Sequence, residues 1–115
     1  MQWLFIHQNC PGQFRQLMPA LLQRGHTVVA IGARPQPQVP QGLRYLHYAW
    51  SEDDPPARLV DPDLERNLRR AARVSALATR LRDDGFHPDA VVFHSGWGEG
   101  LYLRDIWPRA ALIAY

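Results

Sequence analysis

Two short stretches carry the residue types that do chemistry. One is His7-Gln8-Asn9-Cys10-Pro11-Gly12-Gln13, and the other is His94-Ser95-Gly96-Trp97-Gly98-Glu99-Gly100. Each follows an apolar run, Trp3-Leu4-Phe5-Ile6 or Ala90-Val91-Val92-Phe93. A strand that ends in a histidine and passes into a glycine-bearing turn is how an α/β protein lines a ligand crevice. Glycine lets the backbone approach a ligand or take a positive φ, and a helix start beyond the turn offers free N–H groups to an anion. His94 suits a general acid/base or a hydrogen-bond partner to a sugar hydroxyl, and it equally suits a cap on a strand end. Trp97 could stack on a sugar ring or plug the turn. Glu99 could bind a hydroxyl or complement a helix dipole.

Spacing argues against several chemistries. The first loop has one glycine, so the dinucleotide fingerprint G-x-G-x-x-G is absent there, and no phosphate-binding P-loop occurs. The second loop reads G-x-G-x-G but lacks an acid after a following strand to hold a ribose, so a nicotinamide-dependent oxidoreductase is not expected. His7, Cys10 and His94 lie on two loops without compact ligand spacing, and no metal site is expected. Cys10 sits beside Pro11 with no orienting acid, which disfavours a Cys10–His94 nucleophilic pair.

The elements that position these loops follow from periodicity. Residues 3–6 suit a buried parallel strand. Phe14, Leu17, Met18, Leu21 and Leu22 mark one helical face, with a kink expected at Pro19 and a left-handed cap at Gly25. Thr27-Val28-Val29-Ala30-Ile31 is a second buried strand, completing a right-handed βαβ unit. The stretch from Ala33 to Gly42 holds three prolines and reads as a loop. Leu43 to Tyr48 alternates like a third strand nearer the sheet edge. Ser51 to Val60 is acidic and proline-containing, hence a further loop.

Asp61 as N-cap and Pro62 at the first position then start a long helix. Its apolar face is Leu64, Leu68, Ala71, Val74, Leu77, Ala78 and Leu81. Arg66, Arg69, Arg70, Arg73, Arg80 and Arg82 fill the other side as a solvated face. The helix stops at Asp83-Asp84-Gly85. Residues 88–93 form the fourth strand, a short helix over about Glu99 to Ile106 follows the glycine loop, and Ala111 to Tyr115 is a fifth strand.

This order predicts an α/β, Rossmann-like, doubly wound parallel sheet of about five strands in the order 3-2-1-4-5, in three α/β/α layers. Strands 1 and 4 are then neighbours, and the two loops face each other at the switch point. The 115 residues suit one domain, 1–115, with 46% hydrophobic residues, 21% charged residues and a net charge of only +2. All basic residues are arginine, interleaved with acids, so nucleic acid is not an expected partner. No apolar run approaches the roughly 20 residues of a membrane span, and the single Cys10 excludes an internal disulfide, so a cytoplasmic setting is expected. A core strand as the last element leads to the expectation of a longer parent protein, and of self-association through that exposed strand.

HQNCPGQFRQLMPALLQRGHTVVAIG and PDAVVFHSGWGEGLYLRDIWPRAALIAY together resemble the N-terminal half of family 4 glycosyltransferases of GT-B fold. In that half a strand, a P-G loop and an R-G-H turn come first, and a P-D-hydrophobic strand ending in H-x-G-W-G-E comes later. The resemblance implies a retaining, metal-independent transfer from a nucleotide-diphosphate sugar, without further cofactor, to a sugar or glycan acceptor. Carried over, Asn9, Gly12 and Gln13 would face the donor side. His94 would be the catalytic residue near the reacting sugar, and Gly96, Trp97, Gly98 and Glu99 would line the acceptor side. Backbone N–H groups at two helix starts would stabilise the leaving diphosphate. The family's second half, with its E-x7-E donor site, has no counterpart in these residues, so the isolated chain is expected to be inactive. Peripheral contact with a membrane surface is a further expectation. The alternative is a free-standing flavodoxin-like binding module without catalysis.

Overall fold

The computed structural model of the chain describes residues 1–51 and 61–115. Five parallel strands form one sheet in the order β3-β2-β1-β4-β5, namely β1 (Gln2–Ile6), β2 (Thr27–Gly32), β3 (Arg44–His47), β4 (Ala90–Phe93) and β5 (Ala111–Ala114). This is the expected order. The expected loop over Ser51 to Val60 lies, from residue 52 on, outside the described residues.

Alternation along β1 explains the layers. Phe5 points into a core with Phe14, Met18, Leu21, Val28, Ala30 and Val92, which α1 (Leu17–Gln23) covers. Leu4 and Ile6 point the other way, into a core with Val74, Ala78, Leu81, Val91 and Leu103, under α2 (Pro62–Asp83) and α3 (Leu103–Ile106). Both faces of β1 are therefore buried, as its unbroken apolar run requires. β5 is an edge strand, and Ile113 and the following Tyr115 stay exposed.

Both longer helices end in the same way. The His26 N–H donates to Leu21 O and the Gly25 N–H to Leu22 O at the end of α1. Phe86 and Gly85 repeat the pattern onto Leu81 O and Arg82 O, and Phe86 is buried in the core beside Leu81. At its start, α2 is capped by Asp61, whose carboxylate accepts from the Asp63 and Leu64 N–H groups.

Three local expectations are corrected. The first apolar face does not form one kinked helix. Gly12–Phe14 is a 3₁₀ turn and α1 begins only at Leu17, which places Pro19 in the first turn, where its missing N–H has no helical partner to lose. The helix expected from Glu99 is four residues long and begins at Leu103, because the preceding loop spends its backbone groups on turns. Leu64 is 51% exposed while Glu65 and Arg70 are buried, so the first turns of α2 face the His94 loop instead of the sheet.

Candidate functional site

β1 and β4 pair in register from Trp3↔Ala90 to Ile6↔Phe93, so the residues that follow them, His7 and His94, emerge side by side. Their ring centroids are 6.1 Å apart. Each ring makes the same local bond: Nδ1 of His7 accepts from the Asn9 N–H at 3.0 Å, and Nδ1 of His94 accepts from the Gly96 N–H at 3.0 Å. A neutral imidazole that accepts at Nδ1 carries its proton on Nε2. Both rings are therefore assigned as Nε2–H donors at the switch point of the sheet.

Their surroundings differ. His7 is buried, edge-on to Phe14 at 5.7 Å and to Trp97 at 5.1 Å. Gly12 has φ +49°, and a Cβ there would lie 2.5 Å from Cε1 of His7, so this glycine is required by packing against the ring. Burial, reinforced by the electrostatic influence of the neighbouring His94 and Arg34, holds the His7 imidazole below its ordinary range. His94 is half-buried and stacks on the Trp97 indole at 3.8 Å with an interplanar angle of 14°. It caps the 3₁₀ turn over Ser95–Trp97 through Nδ1.

Behind Trp97 lies a polar cluster drawn from distant parts of the chain. Glu99 is 1% exposed, and its Oε1 accepts from the Tyr48 hydroxyl at 2.8 Å while Oε2 has no hydrogen-bond partner among the described residues. Burial pushes the Glu99 carboxyl up to about 7, against the opposing pull of the Tyr48 bond and the Arg70 charge. The Tyr48 phenol is also pushed up, by burial and by Glu99. Arg70 donates to Trp97 O at 3.4 Å and lies 4.3 Å over the Trp50 ring, and Arg73 donates to Ala49 O. Gly98 turns the loop against α2 with φ +76°, where a Cβ would overlap the Asn67 carbonyl.

The expected site residues are thus only partly together. His94, Gly96 and Trp97 form one wall, and Asn9, Gly12 and Gln13 belong to the facing loop, with Asn9 and Gln13 exposed. Glu99 stands behind the wall, on Tyr48 and not at a helix start. The two helix starts expected to receive a diphosphate are not formed at the loops. The Gly12 N–H donates to Asn9 O, the Ser95 N–H to Tyr115 O and the Gly96 N–H to His94, so these donors are already engaged.

Arg70 and Arg73 leave the expected solvated face, and with Tyr48 and Trp50 they are the residues that sequence reasoning missed. A signal existed: Arg66, Arg70 and Val74 recur every four residues, which puts Arg70 at the border of the apolar stripe. Cys10 is buried, and its thiol is pushed up to about 12 by burial, so it stays protonated. Among the described residues no group of three or more His, Cys, Asp or Glu could hold a metal ion. Nor is any described helix long and apolar enough to cross a membrane.

A family model described as glycosyl transferase family 4 group matches residues 24–115. The chain belongs to this family. Its fold is also that of a solved glycosyltransferase, UGT2 of Phytolacca americana. One such structure, complexed with UDP-2-fluoro-glucose and pterostilbene, matches at a TM-score of 0.65 and 16% identity, over 99% of this chain and 30% of that one. The apo form matches at the same TM-score and identity, over 99% of this chain and 28% of that one. The chain therefore spans less than a third of the length of these structures. No curated protein matches it in sequence. As a family 4 glycosyltransferase domain, the chain puts its two histidine-ended strands at the crevice that doubly wound sheets use for ligands.

Proposed function

We propose that this chain is the N-terminal, acceptor-side domain of a retaining, metal-independent glycosyltransferase, and that it is inactive as these 115 residues alone. The donor in this reading is a nucleotide-diphosphate sugar and the acceptor a sugar or glycan hydroxyl. The observation that carries it is the convergence of His7 and His94 at the switch point, with each Nδ1 engaged and Trp97 stacked alongside.

In the reaction the acceptor oxygen bonds to the anomeric carbon, the bond to the diphosphate breaks, and the hydroxyl proton leaves with the nucleotide diphosphate. Nε2–H of His94 donates to an oxygen of the transferred sugar and so orients its anomeric carbon. Trp97 offers the acceptor ring the apolar face that sugars prefer. Gly12 and Gln13 lie on the donor side of the crevice, and His7 supports them from below. No metal is needed in this scheme, because donors of the second half carry the diphosphate charge.

The test is transfer by the full-length gene product from a panel of nucleotide-sugars, with the anomeric configuration of the product read by NMR. Retention is expected, and His94→Ala should lower the rate roughly 100-fold while the protein stays folded. The 115-residue chain alone should give no heat of binding with the same donors in calorimetry. Micromolar binding there, or an inverted product, would overturn the reading.

A further inference from the structure

A cavity of about 330 Å³ opens beside Trp97, between the His94 loop, the first turns of α2 and Trp50. Its lining combines two indoles, Trp50 and Trp97, with the amides of Gln8 and Asn67 and the side chains of Arg66, Arg70 and Asp63. Gln8, Gly96 and Trp97 also belong to the two crevice loops, so the cavity continues the crevice away from the strand ends.

Among the described residues its charged lining is Arg66, Arg70 and Asp63, and Arg66 bridges Asp63 at 3.3 Å, which leaves Arg70 as the guanidinium not bridged to a carboxylate of that lining. Arg70 is the anchor. It is 7% exposed, and among the described residues its Nε has no hydrogen-bond partner while its Nη1 donates to Trp97 O at a long 3.4 Å. The Trp97 carbonyl, the Trp50 ring and the Glu99 carboxyl replace only part of the hydration that this buried guanidinium gives up. Arginine is the side chain best shaped to return that loss by gripping a planar or tetrahedral oxyanion. Arg66 sits one turn earlier on the same face, at the mouth, where it can close on the same group.

We infer that this cavity binds the acceptor through an anionic substituent, a phosphate or a carboxylate, held by Arg70 and Arg66 while its sugar-like body lies between Trp50 and Trp97. The inference rests on the acceptor-side reading above and adds the acceptor's chemical class. The acceptor hydroxyl then projects past Trp97 toward His94, and the anion lies on the α2 side, remote from the donor. Supply of this acceptor calls for a preceding phosphorylating or carboxylate-forming step.

The test uses glucose 6-phosphate, inorganic phosphate and glucose as probes, followed in ¹H–¹⁵N spectra of the full chain. Glucose 6-phosphate should shift the Trp50 and Trp97 indole N–H signals and the Asn67 and Gln8 amides saturably. Inorganic phosphate should move the Asn67 signal more weakly, and glucose at equal concentration should move none. Added salt should weaken the response. Arg66→Gln, at an exposed and replaceable position, should weaken binding of glucose 6-phosphate roughly tenfold, and Arg70→Lys should weaken it further with an unchanged folded spectrum.

An equal response to glucose, no response at all, or shifts centred on Arg15 and Arg34 would each overturn the assignment. Donor turnover by the full-length gene product separates the two readings. Binding of the anion without any nucleotide-sugar turnover keeps the cavity's specificity and removes the transferase reading. Turnover that favours neutral acceptors does the reverse.

Discussion

The ends of β1 and β4 use one device in two ways. His7 and His94 each turn Nδ1 back onto the N–H two residues on, yet His7 is sealed under Gly12 and Phe14 while His94 leans on Trp97 at the surface. The first end is a scaffold whose glycine serves packing. The second is an open surface, the working one in the reading proposed above, and its Gly98 shapes the loop against α2. The same backbone geometry therefore says little about role, and what surrounds the ring decides it.

The comparison breaks most visibly on matched glycine substitutions. Gly12→Ala forces a side chain at positive φ into the His7 ring and should cost about 2–4 kcal/mol in urea unfolding. Gly96→Ala meets only the His94 ring, at 3.0 Å, and that ring can tilt, so a loss below about 1 kcal/mol is expected. Equal losses would mean that the two loops are equally rigid.

Next in size is the pH dependence of the cluster behind Trp97. A carboxyl whose value rises from 4.5 to about 7 on folding binds its proton more tightly in the folded state. Stability should therefore fall as pH rises from about 4.5 through about 7, by about 3 kcal/mol, and Glu99→Gln should flatten that slope. A slope unchanged in Glu99→Gln would remove Glu99 as its source.

The smallest effect belongs to His7 and has the opposite sign. Its folded value lies below the ordinary 6.5, so the unfolded chain binds the proton first, and stability should fall as pH drops below that value. Imidazole ¹³C shifts followed against pH should show the His7 ring neutral at a pH where a free histidine is half charged. Titration at or above the ordinary value would show that the ring is less sealed than its packing indicates.

Much of this architecture was legible in the chain. The apolar runs at 3–6, 27–31 and 90–93 specify buried strands because only a sheet covered on both faces can use them. Asp61-Pro62 and Gly85 bound α2 through local backbone chemistry, which needs no distant partner. The pairing of β1 with β4 followed from connection rules, and with it the meeting of the two histidine loops.

Other features depended on where distant residues came to rest. Glu99, Tyr48, Trp50 and Arg70 are far apart in sequence, and the place of Arg70 at the border of the apolar stripe does not by itself say which partners bury it. Pro19 and the delayed starts of α1 and α3 were set by competition between short turns and helices, which tertiary contacts settle. The sequence by itself determined the strands, their order and the two loops, because periodicity and capping act within a few residues. Only the tertiary structure decided which histidine is sealed, which stays half-exposed, and that a cavity lined by Arg66 and Arg70 lies beside it, because burial is a property of the neighbours that folding brings together.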